Sequence, residues 1–211
     1  MQVAFLLYER FTALDAVGPY EVFNVIPGWD PVFVAERAGP VRTDFGRLAL
    51  TADRTLDEVP APDILVVPGG VGSRDPGHGA LVDWIRAAHE TSTWTTSVCT
   101  GSLLLGAAGV LDGLRATSHW LYHDHLRALG AEPAGERVVR DEKVITAAGV
   151  SSGIDMALEL VALEAGPEVA QAAQLVIEYD PQPPFDAGSP AKAPKPVVEL
   201  VTRLARQAGE L

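Results

Sequence analysis

Short, almost wholly apolar runs alternate along this chain with longer amphipathic ones, and that alternation leaves few folds open to it. The apolar runs, at residues 2–7, 31–36, 63–67, 93–98, 116–118 and 144–147, have the length of strands. A strand with one wet face would alternate polar and apolar residues, whereas Ile64-Leu65-Val66-Val67 needs cover on both faces. Helices are predicted between and after the strands, at 13–25, 80–90, 101–108, 121–129, 152–164 and 167–177, which is the recurring βαβ order of a mostly parallel sheet. Gly18-Pro19 must fall near the first turn of the first helix or kink it, because an interior proline lacks the needed N–H. Residues 47–52 and 137–140 read as a smaller hairpin or edge, and 180–196, rich in Pro, Ala, Gly and Ser, as an irregular connector to a last helix at 197–207. There is no internal repeat. With 211 residues and 47% hydrophobic content, residues 1–211 are expected to bury one core and form a single α/β domain.

The charge narrows the partners. A net charge of -12 and an isoelectric point near 4.7 argue against a nucleic-acid or anionic-membrane surface, since both need a basic footprint. The N-terminal run is too short for a signal peptide, and no apolar stretch is long enough to span a bilayer, so the chain is expected in the cytoplasm. Its one cysteine rules out an intramolecular disulfide and a cysteine-rich metal site.

That cysteine, Cys99, sits in Thr95-Thr96-Ser97-Val98-Cys99-Thr100-Gly101-Ser102, where a β-prone run meets a helix-forming one. Small residues two positions to either side let the backbone turn sharply and lift a side chain above the sheet edge, as at a nucleophile elbow. A helix starting at Thr100 or Gly101 would point its N–H groups at the sulfur and lower the thiol pKa. The bland alternative is an inert buried cysteine. Ligand sites in such folds lie at the carboxyl ends of strands. There the loop Pro68-Gly69-Gly70-Val71-Gly72 offers backbone N–H groups to a developing negative charge, or is a plain tight turn. Asp15 and Glu21 approach the same edge. A carboxyl held beside a thiolate carries its proton nearer neutrality, while Asp15 read locally is a helix N-cap.

The histidines and aromatics are weaker signals. His119 follows a short strand and is placed to stabilise a thiolate or complete a wall. His123 and His125, two apart, fall on different helix faces, which argues against a metal site. His78 reads as a lid residue near the mouth, and His89 as a cation closing a helix. Trp94, Trp120, Phe11 and Tyr20 line either an apolar pocket or the core.

The segments LDAVGPYEVF at 14–23, VPGGVG at 67–72, VCTGSLLLGAAGVLDGLRATSHW at 98–120 and IEYDPQPPF at 177–185 resemble the ThiJ/PfpI superfamily over nearly the whole chain. The resemblance implies a flavodoxin-like sandwich with helices on both faces of the sheet and an elbow cysteine, usually as a homodimer. It implies Cys99 as nucleophile, Asp15 as acid/base, Thr100 as a hydrogen-bonding partner, and backbone donors near Gly69 and Gly70. Where the peptidase branch has a histidine after the cysteine this chain has Thr100, so a Cys-His protease is not expected. Related transcription regulators continue into a helix-turn-helix module, whereas this sequence stops at Leu211. Asp15 stands where oxidative-stress and glyoxalase-like branches carry a glutamate, and this favours the branch that hydrates isonitriles. The implied reaction adds water to an isonitrile through a Cys99 thioimidate, Asp15 supplying the proton and Thr100 orienting water or Asp15, with a small-molecule substrate and neither cofactor nor metal. A redox or ligand sensor, and a glyoxalase-like cysteine enzyme, are the alternatives.

Overall fold

The computed structural model describes residues 1–75 and 77–209. In chain order its elements are β1 (Gln2–Leu6), α1 (Ala13–Phe23), β2 (Asp30–Ala35), β3 (Gly39–Arg42), β4 (Ala49–Ala52), β5 (Arg54–Thr55), β6 (Ile64–Val67), α2 (Gly79–Thr91), β7 (Trp94–Val98), α3 (Gly101–Ala107), β8 (Arg115–Ala116), α4 (His123–Ala128), β9 (Glu132–Pro133), β10 (Val138–Asp141), β11 (Val144–Ala147), α5 (Ser152–Ala165), α6 (Pro167–Val176) and α7 (Lys195–Gln207). Seven strands form one sheet in the order β10-β11-β7-β6-β1-β2-β5. All its pairings are parallel except that of β10 with β11, and the fold is a flavodoxin-like α/β sandwich. Every residue of β6 is fully buried, the burial its unbroken apolar sequence requires. Helix α1 packs on α5 and α5 on α6, while α2 packs on α3 and α3 on α4.

Three local expectations are refined. The run at 116–118 does not join the main sheet: β8 ends at Ala116 and pairs with β9 in a separate two-stranded sheet. Thr117 and Ser118 instead tie the chain to the main sheet through polar groups, Thr117 N donating to Thr146 Oγ1 at 2.8 Å and Ser118 Oγ to the Cys99 carbonyl at 3.1 Å. The stretch 47–52 supplies β4, which forms an antiparallel hairpin with β3. Pro19 lies inside α1 rather than in its first turn. It is buried beside Gly153, where an added Cβ would sit 3.0 Å from the proline Cγ, so close approach of α1 to α5 accompanies the lost helix hydrogen bond.

The chain divides into two compact units, Met1–Ile177 and Glu178–Leu211. The second holds the proline-rich connector and α7, whose Val197, Leu200, Val201 and Leu204 form an exposed apolar row at helical spacing. No helix among the described residues is long and apolar enough to cross a membrane.

Parallel pairing gathers the carboxyl ends of β1, β6, β7 and β11 at one edge, with Val67 opposite Ser97 and Ala147 opposite Val98. The turn from β7 into α3 passes so close to β6 that a Cβ on Gly101 would overlap the Val67 carbonyl oxygen and press on Pro68. Gly101→Ala should therefore destabilise the protein by about 3 kcal/mol or more, backbone having nowhere to move. Gly135→Ala, where an added Cβ meets nothing within 4 Å, should stay within about 0.5 kcal/mol in the same urea titration.

Candidate active site

Cys99 occupies the elbow with φ of 58°, a left-handed conformation that costs a non-glycine residue about 1 to 3 kcal/mol. The surrounding chain holds it there. Its N–H is shared between the Ala147 and Ala148 carbonyls at 3.0 Å, and its carbonyl accepts the hydroxyls of Ser102 and Ser118, both at 3.1 Å. The residue is 6% exposed. Around its sulfur lie the N–H groups of Thr100 and Val150, the Thr100 hydroxyl and the Asp15 carboxyl. Burial, and next the Asp15 carboxylate, push the Cys99 thiol well up, although the Thr100 and Val150 amides favour its anion. The lowering expected from a helix N-terminus is thus overturned, because partial positive charges on two amides do not replace lost hydration.

Asp15 is fully buried in the first turn of α1. The N-cap reading does not hold: Thr12 is the N-cap, and the Asp15 Oδ2 accepts the Gly69 N–H at 2.8 Å, across the chain. Its Oδ1 has no nitrogen or oxygen partner among the described residues, and the carboxyl interacts with the Cys99 thiol. Burial above all, and then the negative charge of Asp44, push Asp15 from 3.8 up to about 8, against the opposing pull of Gly69 and Cys99. The carboxyl holds its proton at neutrality. Glu21, the other carboxyl expected at this edge, is exposed on α1.

Gly69 and Gly70, expected to aim their N–H groups at substrate, use them within the protein. Gly69 donates to Asp15, and Gly70 donates to Thr100 Oγ1 at 2.9 Å while its carbonyl accepts that hydroxyl at 3.2 Å. The loop is a bracket holding the acid and Thr100. Glycine is required there, since a Cβ on Gly69 would collide with Thr100 and Asp15, and one on Gly70 with residues 10–12. The amides that face the sulfur are those of Thr100 and Val150. Val150, with φ of 25°, was not legible as a site residue: nothing marks it beyond its place just after β11.

His119 packs against Gly149, where an added Cβ would sit 2.7 Å from its Cδ2, and its Nδ1 accepts the Leu121 N–H at 3.4 Å. Burial, then His123, hold its pKa below the usual value, so the ring is neutral and walls the loop that carries Val150. Tyr8, unmarked in the sequence, is buried with its hydroxyl donating to the Pro68 carbonyl at 2.8 Å. Burial raises it first, followed by Asp15, Cys99 and Asp44. His78 lies edge-on to Tyr8 at 5.3 Å and donates through Nε2 to the Gly72 carbonyl at 2.7 Å, while its neighbour Pro76 lies outside the described residues. His89 closes α2 but pairs through Nδ1 with Thr95 Oγ1 at 2.9 Å. Phe11 is fully buried and Tyr20 stacks on Phe33, so both belong to the core, whereas Trp94 donates to Glu164 at 2.6 Å. Among the described residues no group of three or more His, Cys, Asp or Glu side chains is placed to share a metal ion.

The model of the DJ-1/PfpI family matches residues 1–163, spanning Asp15, Cys99, Thr100 and Val150 alike. The chain belongs to the DJ-1/PfpI family. Among its relatives, the isonitrile hydratase of Pseudomonas putida is 44% identical over 205 residues, covering 94% of this chain and 87% of that one. A ThiJ/PfpI family protein from Pseudomonas syringae superposes with a TM-score of 0.92 at 39% identity, covering 98% of this chain and 86% of the other. The HTH-type transcriptional regulator CdhR of Pseudomonas aeruginosa is 33% identical over 79% of this chain, but that match spans only 51% of the regulator.

A carboxyl held protonated in the fold makes a pH-dependent contribution to stability. Between about pH 4 and pH 8 the unfolded chain releases the Asp15 proton and the folded one keeps it, so stability falls as pH rises through that window. The slope is at most about 1.4 kcal/mol per pH unit. Asp15→Asn removes the ionisation, and its advantage over the wild type in urea unfolding should grow steadily from pH 4 to pH 8.

Proposed function

We propose that this protein is an isonitrile hydratase, converting R–N≡C and water to R–NH–CHO. The observation that carries the reading is a fully buried carboxyl, held in place by the Gly69 N–H, beside a buried thiol that faces two backbone amides. Strong support comes from 44% identity to the Pseudomonas putida isonitrile hydratase along 94% of the chain.

An isonitrile carbon accepts both a nucleophile and a proton. Once the pair has released one of its two protons to solvent, the Cys99 thiolate forms a bond to that carbon and Asp15 gives the carbon the remaining proton, leaving a thioimidate R–N=CH–S and an ionised Asp15. Asp15 then takes a proton from water as the hydroxide adds to the same carbon, and passes that proton to nitrogen. The hydroxyl proton of the adduct returns to Asp15 as the C–S bond breaks, releasing the formamide and restoring the thiolate. No electrons leave the cycle, so it needs no redox cofactor. The Thr100 and Val150 amides stabilise sulfur when it carries charge, and Thr100, fixed by Gly70, orients the acid and the water.

The protein acts on a small molecule in the cytoplasm, without a nucleic-acid or membrane partner, a reading supported by its net charge of -12. We also propose a two-fold homodimer. The exposed row Val197, Leu200, Val201 and Leu204 on α7 is the apolar face such a dimer would bury.

Purified protein given alkyl and aryl isonitriles should release the matching formamides, read by mass spectrometry. Cys99→Ala and Cys99→Ser should abolish turnover, and Asp15→Asn should lower kcat about 100-fold or more. Turnover of methylglyoxal without formamide formation would instead support a glyoxalase-like enzyme, and wild-type rates in Cys99→Ala would end the thioimidate mechanism. Light scattering should give twice the 22.3 kDa chain mass, reverting to one chain in Leu200→Glu; a wild-type mass of one chain refutes the dimer.

A further inference from the structure

Three segments remote in sequence meet behind the thiol and its acid, and one side chain joins them. Residues 10–12, 42–44 and 69–72 are held edge to edge: Arg10 N donates to Arg42 O at 2.8 Å, Asp44 N to Phe11 O at 3.0 Å, Thr12 N to Gly69 O at 2.8 Å and Gly72 N to Arg10 O at 3.2 Å. The Asp44 carboxylate closes the junction. Its Oδ2 accepts the Thr12 hydroxyl at 2.6 Å, and its Oδ1 accepts the Val71 N–H at 3.2 Å. Thr12 is the N-cap of α1, yet its hydroxyl does not cap that helix; it is turned to Asp44. Asp15 lies in the first turn of the same helix, and Val71 directly follows the glycines that hold Asp15 and Thr100.

We propose that Asp44 is a positioning residue: by tying the N-cap of α1 to the glycine loop, it sets the Asp15 carboxyl against the Cys99 sulfur without touching the reacting atoms. The tie is needed because the two partners come from separate elements. Asp15 rides on α1 and Cys99 on the β7–α3 turn, and a misplacement of 1 Å can cost a reaction about a hundredfold. The same carboxylate also acts by charge. The groups that face Asp15 are Asp44, Cys99 and the Gly69 amide, with Tyr8 among the same three acids, and removing one negative neighbour makes the carboxyl easier to ionise.

Two variants break the tie, one with the charge and one without it. Asp44→Asn leaves a single acceptor for the two donors of Thr12 and Val71 and also loses the charge, whereas Thr12→Val loses the tie and keeps the charge. Alkylation of Cys99 by iodoacetamide, followed over about pH 5 to 10, reads the buried pair without any substrate. In Asp44→Asn the first rise in alkylation rate should move down by about half a pH unit or more. The kinetic arm rests on the proposed hydration: both single variants should lose kcat about tenfold with KM within about twofold, and the double variant no more than either alone. An Asp44→Asn alkylation profile that superposes on the wild type, or losses that multiply in the double variant, overturns the proposal, even if melting temperatures fall. Should Asp44→Asn fail to fold, an unchanged kcat in Thr12→Val overturns it equally. A wild type that hydrates no isonitrile counts against the reaction, and the alkylation profiles then decide Asp44.

Discussion

Taking a carboxyl and a thiol out of water at one sheet edge is the constraint around which this fold is organised. Each loses hydration of its ionised form, the Asp15 charge raises the thiol further and the Asp44 charge raises Asp15, so both acids are held above their ordinary range. Backbone amides oppose this without reversing it. Gly69 donates to Asp15, and Thr100 and Val150 face the sulfur, but an amide offers a partial charge where water offered a full shell. Such a pair keeps its protons until a reaction calls for one, and the proposed hydration moves one proton back and forth across a short distance.

Holding that pair demands a backbone packed more tightly than side chains permit. Gly69 and Gly101 sit where a methyl group would strike neighbouring main chain, and Cys99 adopts a left-handed turn fixed by hydrogen bonds to Ala147, Ala148, Ser102 and Ser118. Bonds that elsewhere would bind a ligand are used internally to hold the acid. This explains why the Pro68–Gly72 loop looks like an oxyanion site in sequence and serves as a bracket in the fold. It leaves the sulfur's amide donors to two other turns, one from β7 into α3 and one after β11.

A histidine directly after the cysteine would supply a ring base, whereas Thr100 supplies a hydroxyl already bonded to both the N–H and the carbonyl of Gly70. His119, which stands close by, is buried and neutral, and so contributes shape and not charge. In the proposed hydration, proton transfer is left to Asp15.

The sheet and its helices were legible in the sequence because apolar periodicity reports burial, and burial in a parallel sheet leaves few alternatives for runs such as 64–67. The run at 116–118 failed for the same reason, since burial alone does not tell a sheet strand from a segment tied in by Thr117 and Ser118. The elbow was legible because a sharp turn needs small residues at set spacings around Cys99. For Asp15 the residues alone left the N-cap reading open, and only the family resemblance singled it out. What the tertiary structure alone decided was which groups face one another: the committed N–H groups of Gly69 and Gly70, the Val150 amide beside the sulfur, Tyr8 behind the acid, Asp44 bridging Thr12 and Val71, and the upward direction of the thiol. Local sequence sets conformation through sterics within a few residues, whereas hydrogen-bond partners and desolvation depend on distances between segments dozens of residues apart, and those exist only once the chain has closed on itself.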